Sequence, residues 1–468
     1  MRRMLFRAIA ALGIAIISVF SRGARAIAAE RVELREEAAD SRIRSVALEM
    51  NVSGKLFPEP GPEKVLKLAV DAEFRYTERR LPGTGREAQS LRSIRHYDQA
   101  RAAIQAGDQV SNVALRKPAR LIIAEGRLEG IELFSPSGPL TYGELELLHV
   151  AGDSLAILGL LPESLVDEGE SWIPAHWVVP LLTGVEAVEK AEITCKLESL
   201  IPGKARITFG GDVTGATVGA ASFVRVDGHL VFDLEQKLIS ELELTQSEKR
   251  SIGAVSPGLD VVAKVKLTRA TAARPVRLTD ADIADIPLES NDANRLLMFD
   301  SPAWNVRFYH DRHWHLFNQT PEVALLRLLD QGGLIAQCNI KKLPDAEPGG
   351  HVSEEQFKAD IEQTLGKNFE QFVQSENLKL RQGLFVIKMV AVGSVERRNS
   401  KDEIERIPMQ WIYYLTANSD GRQVAFVFSV EPKQVKELDN RDLSIVAGLE
   451  FLAPRAKPAP ASNRRKEK

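Results

Sequence analysis

Only two cysteines, Cys195 and Cys338, occur in 468 residues, which excludes a disulfide scaffold and any cysteine-rich zinc or iron–sulfur module. Each sits on an alternating apolar face, Ile193-Cys195-Leu197 and Ala336-Cys338-Ile340, so two buried small hydrophobes are expected in place of a bridge. A basic surplus is also missing. Lys and Arg total 61 against 64 Asp and Glu, a net charge of −3, which argues against a dedicated nucleic-acid binder. Aromatic residues make up only 6%. No stretch reaches the roughly 18 consecutive apolar residues of a membrane-spanning helix. With 44% hydrophobic and 27% charged residues, the chain has the balance of a folded protein of two or three domains.

Familiar catalytic motifs are absent as well. Ala254-Val255-Ser256-Pro257-Gly258 has the outline of a nucleophile elbow. The residue after that serine must lend its N–H to an oxyanion, and Pro257 has none, so the segment is read as a turn. Gly210-Gly211-Asp212-Val213-Thr214-Gly215 lacks the Lys-Ser/Thr of a phosphate-binding loop and is read as a loop or bulge. Glu248-Lys249-Arg250 is read as a solvated turn.

What is present begins with an address. Arg2, Arg3 and Arg7 precede a mostly apolar run from Ala8 to Phe20, and Ala24-Arg25-Ala26 and Ala26-Ile27-Ala28 offer small-residue cleavage sites. That run is too short to span a bilayer, so residues 1–28 are expected to be a signal peptide, giving an exported, periplasmic or extracellular protein with no transmembrane segment after cleavage. Without the leader the balance is 56 basic against 64 acidic residues. The tail 454–468, rich in Pro, Ala and Lys, holds six basic residues and one acid and is expected to be disordered.

Residues 30–270 read as antiparallel sheet. Val46, Leu48, Met50 and Val52 alternate with polar neighbours, as do Leu66, Leu68, Val70, Ala72, Phe74 and Tyr76. Such period-two patterns mark strands with one wet face. Further strands are expected at 93–103, 119–134, 191–197, 205–209, 223–226, 230–234, 242–244 and 261–267, with Asp227-Gly228 as a hairpin turn. A helical interlude at 141–161 opens on a Thr141–Glu144 capping box. About ten strands with one greasy face must curl or be covered, so a curved sheet clasping these short helices is expected.

Residues 271–300 are acidic and aperiodic and are read as a linker. From 301 to 453 strands and helices alternate. Ser353 and Gln356 cap a helix whose stripe runs Phe357, Ile361, Leu365, Phe369 and Phe372, and a last short helix is expected around 439–447. The texture of 300–453, with VRFYHDRHWHL, LLRLLDQGGLIAQCNI and WIYYLTANSDGRQVAFVFSV, resembles the PsbP/Mog-type α/β/α sandwich superfamily, which implies an accessory or adaptor role. The earlier region, with RHYDQA, GPLTYGELELL, GDSLAILGLLPE, GESW and SEKRSIGAVSPGL, resembles exported planctomycete-type proteins with a LolA-like curved sheet. Neither resemblance brings catalytic residues with it. The expected fold is therefore α+β: a large half-barrel-like antiparallel sheet, then a smaller PsbP-like α+β domain.

Two clusters could carry chemistry. His310, His313 and His315, with Asp311, are dense enough to suggest Zn²⁺ or Cu²⁺ ligands if His313 and His315 share a strand face; the alternative is a hairpin with ordinary surface histidines. Glu168, Glu170, Trp172, His176 and Trp177 could pair two carboxylates for glycoside hydrolysis; the alternative is a turn locking a sheet edge. No cofactor is expected. The leading expectation is a non-enzymatic exported binding or accessory protein, its partner a lipid or an apolar segment of an envelope protein and not a nucleic acid. A metal-dependent or hydrolytic enzyme is the alternative.

Overall fold

The computed structural model describes residues 31–58, 65–85, 87–273, 277–398 and 403–453. The expected leader and basic tail lie outside them. The protein is mostly β, built on large antiparallel sheets with few helices.

The first sheet has thirteen strands among the described residues. Its main path runs through Gly130–Phe134, Leu121–Arg127, Arg92–Ala106, Leu66–Arg80, Ile43–Phe57, Gly258–Thr271, Leu238–Arg250, Ala220–Asp233, Lys204–Thr217, Thr194–Ile201 and Ser171–Trp172. Gln109–Ala114 and Ala187–Ala191 pair to the side of this path. The first and last strands of the path do not pair with each other, so the sheet curves without closing into a barrel.

One face of the sheet turns inward on a single large core. Val46, Leu48, Phe74, Leu242 and Leu267 meet Leu145 and Leu148 of the helix Tyr142–Leu148, Ile157 and Leu160 of a 3₁₀ turn, and Val178 and Leu182 of the helix Val178–Thr183. The capping box is formed: Glu144 N donates to Thr141 Oγ1 at 3.2 Å and Thr141 N donates to Glu144 Oε2 at 2.9 Å. The concave face is therefore filled by the chain's own helical interlude.

Three local readings are corrected here. Asp227 and Gly228 are not a turn but the middle of the continuous strand Ala220–Asp233. A Cβ on Gly228 would stand 2.7 Å from Cζ of Phe209 on the next strand, so the glycine makes room for that ring. Of the loop-or-bulge reading of Gly210–Gly215 the loop is corrected: the segment lies within the strand Lys204–Thr217, with Gly211 tight against the carbonyl of Glu192, and its pairing with Ala187–Ala191 shifts register between Thr214 and Gly215. The Glu248-Lys249-Arg250 run ends a strand rather than forming a turn, and Arg250 Nε donates to Glu248 Oε1 at 2.7 Å.

The later sheet has seven antiparallel strands in the order Trp314–Gln319, Val323–Asp330, Gly333–Lys342, Gln423–Val430, Ile404–Asn418, Leu384–Arg398 and Phe369–Asn377. The helix Glu354–Leu365 covers one face through Phe357, Ile361 and Leu365. The helices Val435–Leu438 and Arg441–Ala447 cover the other, together with Phe299, Trp304, Val306 and Phe308. The first of these helices is shorter than its apolar stripe. Gly366 ends it at φ +51°, and Phe369 and Phe372 continue the same core from a strand, their rings 4.9 Å apart.

The stretch read as a linker is strapped to the outside of the first sheet. Leu278 is buried with Ile43, Leu81, Ile94, Ile123 and Phe134, and Arg79 donates to its carbonyl at 3.0 Å. Leu297–Ser301 then pairs in parallel with Leu140–Thr141 of the first region. Backbone contacts tie the two sheets further: Arg312 Nη2 reaches the Leu133 carbonyl at 2.7 Å, and the turns at Gly219 and Gly332 touch backbone to backbone.

Candidate binding cavity and buried charge cluster

The three histidines stay near one another but in different settings. His310 ends the strand Val306–His310 and is buried, its Nδ1 donating to the Asp311 carbonyl at 2.8 Å. His313 is exposed in the following turn, with Nδ1 3.2 Å from Asp311 Oδ1. His315 lies on the strand Trp314–Gln319 with its ring edge-on to Tyr142 at 6.2 Å. Among the described residues no group of three His, Cys, Asp or Glu side chains is arranged to hold a metal ion. The strand begins at Trp314; the His313 carbonyl accepts from Leu329 N at 3.0 Å, while its imidazole stays in the turn beside Asp311.

Two of these imidazoles are held neutral. Burial pulls His310 below the usual histidine range. Burial, reinforced by His310 and His313, pushes His315 down to about 4. A histidine depressed in the folded state contributes stability above its unfolded pKa, and that stability is lost as pH falls toward the folded value. Stability is therefore expected to decline as pH drops from about 6.5 toward 4, and His315→Gln should flatten that decline. Urea midpoints measured across the range check it; a wild-type midpoint flat between those limits contradicts it.

The cysteines are free and buried, as read. Burial pushes the Cys195 thiol up to about 12. Pro257 follows Ser256 in the expected turn, where Gly253 N donates to the Ser256 carbonyl at 2.9 Å.

The acids of the Glu168–Trp177 junction are engaged in holding the chain. Glu168 Oε2 accepts from Leu200 N at 2.8 Å. Glu170 Oε2 accepts from Asp167 N at 2.9 Å and from Arg31 Nη2 at 3.2 Å. Trp172 pairs with Cys195 at the sheet edge, and its Nε1 donates to the Leu160 carbonyl at 3.0 Å. These contacts are those of the locked-edge alternative, not of a free acid pair.

The same junction walls a cavity of about 750 Å³. Trp172, Ile173, Trp177, Leu158 and Leu161 form one side, and Leu34 and Leu91 close another. Ile173 is 82% exposed at its rim. The opposite wall is an extended strap, residues 33–38, held by a bridge between Val32 and Val166, by buried Leu34 and by Glu36, whose Oε2 accepts from Ile239 N at 3.0 Å.

Behind the strap lies a feature that went unnoticed in the sequence. Arg44, Arg80, Arg95 and Arg269 are buried at the inner end of the sheet with Glu36, Glu78 and Asp153. Arg95 grips Asp153 with Nη1–Oδ2 at 2.7 Å and Nη2–Oδ1 at 2.6 Å, and its Nε donates to Glu78 Oε1 at 3.0 Å. Ser154 and Ser93 also donate to Glu78, and Arg80 Nη2 donates to the Ser154 carbonyl at 2.7 Å. Glu36, from the strap, is bonded by both terminal nitrogens of Arg269 and lies 3.5 Å from Arg44 and 3.8 Å from Arg80. Burial opposes the charge on Glu36, but Arg269, Arg80 and Arg44 outweigh it and hold its carboxyl below the usual range. Glu78 is lowered in the same way, against burial, by Arg80 and Arg95.

The signal that could have found this cluster is strand parity. Arg44 continues the face of Val46 and Leu48, Glu78 and Arg80 that of Phe74 and Tyr76, and Arg269 that of Val265 and Leu267. An inward stripe that turns from apolar to charged places those charges in the core.

No protein-family model and no curated protein matches the sequence. Among solved structures the chain is similar to one described as lipid–protein interactions in lipovitellin, at 12% identity and a TM-score of 0.31 over 52% of this chain and 27% of that one. A Bacteroides thetaiotaomicron protein is similar at 11% identity and a TM-score of 0.22, over 33% of this chain and 48% of that one. DynF from Micromonospora chersina reaches 8% and 0.16, over 53% and 88%. The chain thus spans about a quarter of the lipovitellin chain. At these scores none of the three bears on what this protein binds.

Proposed function

We propose that this is an exported, non-enzymatic binding protein of the cell envelope that holds a lipophilic ligand in the first domain. The carrying observation is the 750 Å³ cavity beside Trp172 and Trp177, lined also by Leu34, Leu91, Leu158 and Leu161. That volume falls in the usual range of small-molecule sites, roughly 300–1,000 Å³, and Glu33, Arg35, Glu163 and Glu170 share the lining with the apolar residues. The site lies at the end of the curved sheet, because the concave face is taken by the protein's own helices. The leader read at 1–28 supports export. The likeness of 30–270 to LolA-like proteins and of 300–453 to the PsbP-type superfamily supports a carrier or accessory role over a catalytic one. The junction's glutamates fit that reading, since both are occupied by backbone donors.

Organic extraction of purified protein followed by mass spectrometry is expected to release a lipophile. An apolar dye should bind and change the fluorescence of Trp172 and Trp177. Ile173→Glu, at an exposed position, should leave folding intact and weaken dye binding about tenfold or more, since an apolar ligand covering the rim would have to strip water from the new charge. The reading fails if no lipophile is released and the dye does not bind, or if the Ile173→Glu protein binds it as well as wild type.

A further inference from the structure

We infer that the ligand is a carboxylate-headed amphiphile, whose head takes the place of Glu36 among Arg44, Arg80 and Arg269 while its tail lies in the tryptophan-walled cavity. This rests on the binding role proposed above and names the ligand class.

Three observations meet at one point. Glu36 both lines the cavity and supplies the carboxylate on which the three arginines converge. It comes from an extended strap, not from the sheet that supplies the arginines. The arginines also have donors to spare: Nε of Arg44, Nε and Nη1 of Arg80 and Nε of Arg269 are buried and hydrogen-bond to no described residue. Arg80 is 2% exposed.

Four guanidinium groups inside a curved sheet are costly to desolvate, and an apolar set of similar volume would serve packing as well or better. A binding role gives them a reason. Arginine matches carboxylate with paired charge-assisted bonds. The cluster is balanced as it stands, with Glu36, Asp40, Glu78 and Asp153 facing the four arginines. Exchanging one carboxylate for another preserves that balance, whereas a cationic or neutral head would leave the arginines without their partner. Glu36 thus acts as an internal placeholder, and the strap that carries it would move outward as the ligand enters. The exchange is non-covalent and needs no proton transfer, since Glu36 remains ionised.

The test uses the full protein and three probes with one tail: dodecanoate, dodecyltrimethylammonium and dodecyl maltoside, each below its micelle concentration and followed by tryptophan fluorescence. Dodecanoate is expected to bind at least tenfold more tightly than either other probe, and acetate at the same concentration should not displace it. Glu36→Gln removes the placeholder charge at constant shape. It should tighten dodecanoate tenfold or more and leave dodecyl maltoside unchanged. If the three probes bind alike, or the cationic one binds best, the head-group assignment is overturned while the binding role stands. If none binds, the binding role itself fails. If acetate alone displaces dodecanoate, the site is for free carboxylates and the tail assignment is wrong. Unchanged dodecanoate affinity in a folded Glu36→Gln protein overturns the placeholder, and where that variant does not fold, the wild-type ranking decides.

Discussion

Arg95→Met is expected to lower the unfolding free energy by about 3–5 kcal/mol, the cost of removing one partner from a buried ion cluster. Arg95 joins three separate parts of the first domain. Its terminal nitrogens hold Asp153, just before the 3₁₀ turn of the helical interlude, its Nε holds Glu78 on the neighbouring strand, and its guanidinium lies 5.5 Å from the ring of Tyr76. Methionine fills similar space but leaves Asp153 and Glu78 buried without their main counter-charge. Denaturant titration of the whole protein reads the effect. A change below about 1 kcal/mol would mean that the pair behaves as a surface ion pair, and the burial described here would be wrong. Arg95→Met/Asp153→Asn should be less destabilising than the two single changes added together, because the second change removes the charge that the first one orphans.

The acid side of the same cluster sets a sign. Glu36 and Glu78 are both lowered in the folded protein. Their contribution is complete above the ordinary glutamate pKa, about 4.3, and is lost as pH falls through their folded values. Acid unfolding therefore follows the histidine-linked decline instead of coinciding with it, and His149 of the first domain, pushed down to about 4 by burial, shares in that decline.

The long strands were legible because their inner faces repeat every second residue, as at Leu66 to Tyr76, and that periodicity survives folding unchanged. The Thr141–Glu144 cap was legible because it is local chemistry. Gly228 misled because a glycine after aspartate signals a turn, while the reason for it sits on another strand, in the ring of Phe209. The histidine spacing is correct for one strand, but His313 sits in the turn before Trp314–Gln319, its Nδ1 3.2 Å from Asp311 Oδ1. Part of the candidate site was within reach of parity and part was not. Arg44, Glu78, Arg80 and Arg269 extend apolar stripes, but Glu36 and Asp153 come from aperiodic segments. Glu36 meets its arginines across separations such as 233 residues to Arg269, a pairing that no local pattern encodes.

Ile157→Ala is expected to cost about 2–5 kcal/mol, the range for truncating a fully buried aliphatic side chain. Ile157 is completely buried in the helical interlude that fills the concave face. The prediction separates two views of that interlude. If it is part of the core, a cavity at Ile157 weakens the sheet itself, and the unfolding midpoint of the first domain falls. If it is a detachable lid, the sheet should keep its midpoint, and only residues 142–183 should exchange their amide hydrogens faster. The single continuous core that links Leu148, Ile157 and Leu182 to Leu48, Phe74 and Leu267 favours the first view. Hydrogen exchange resolved by segment, measured on Ile157→Ala beside wild type, should therefore show protection lost from Ile43–Phe57 and Leu66–Arg80 together with the interlude. Protection lost from the interlude alone would make the concave face a second place for ligand. It would then compete with the tryptophan-walled cavity as the primary site.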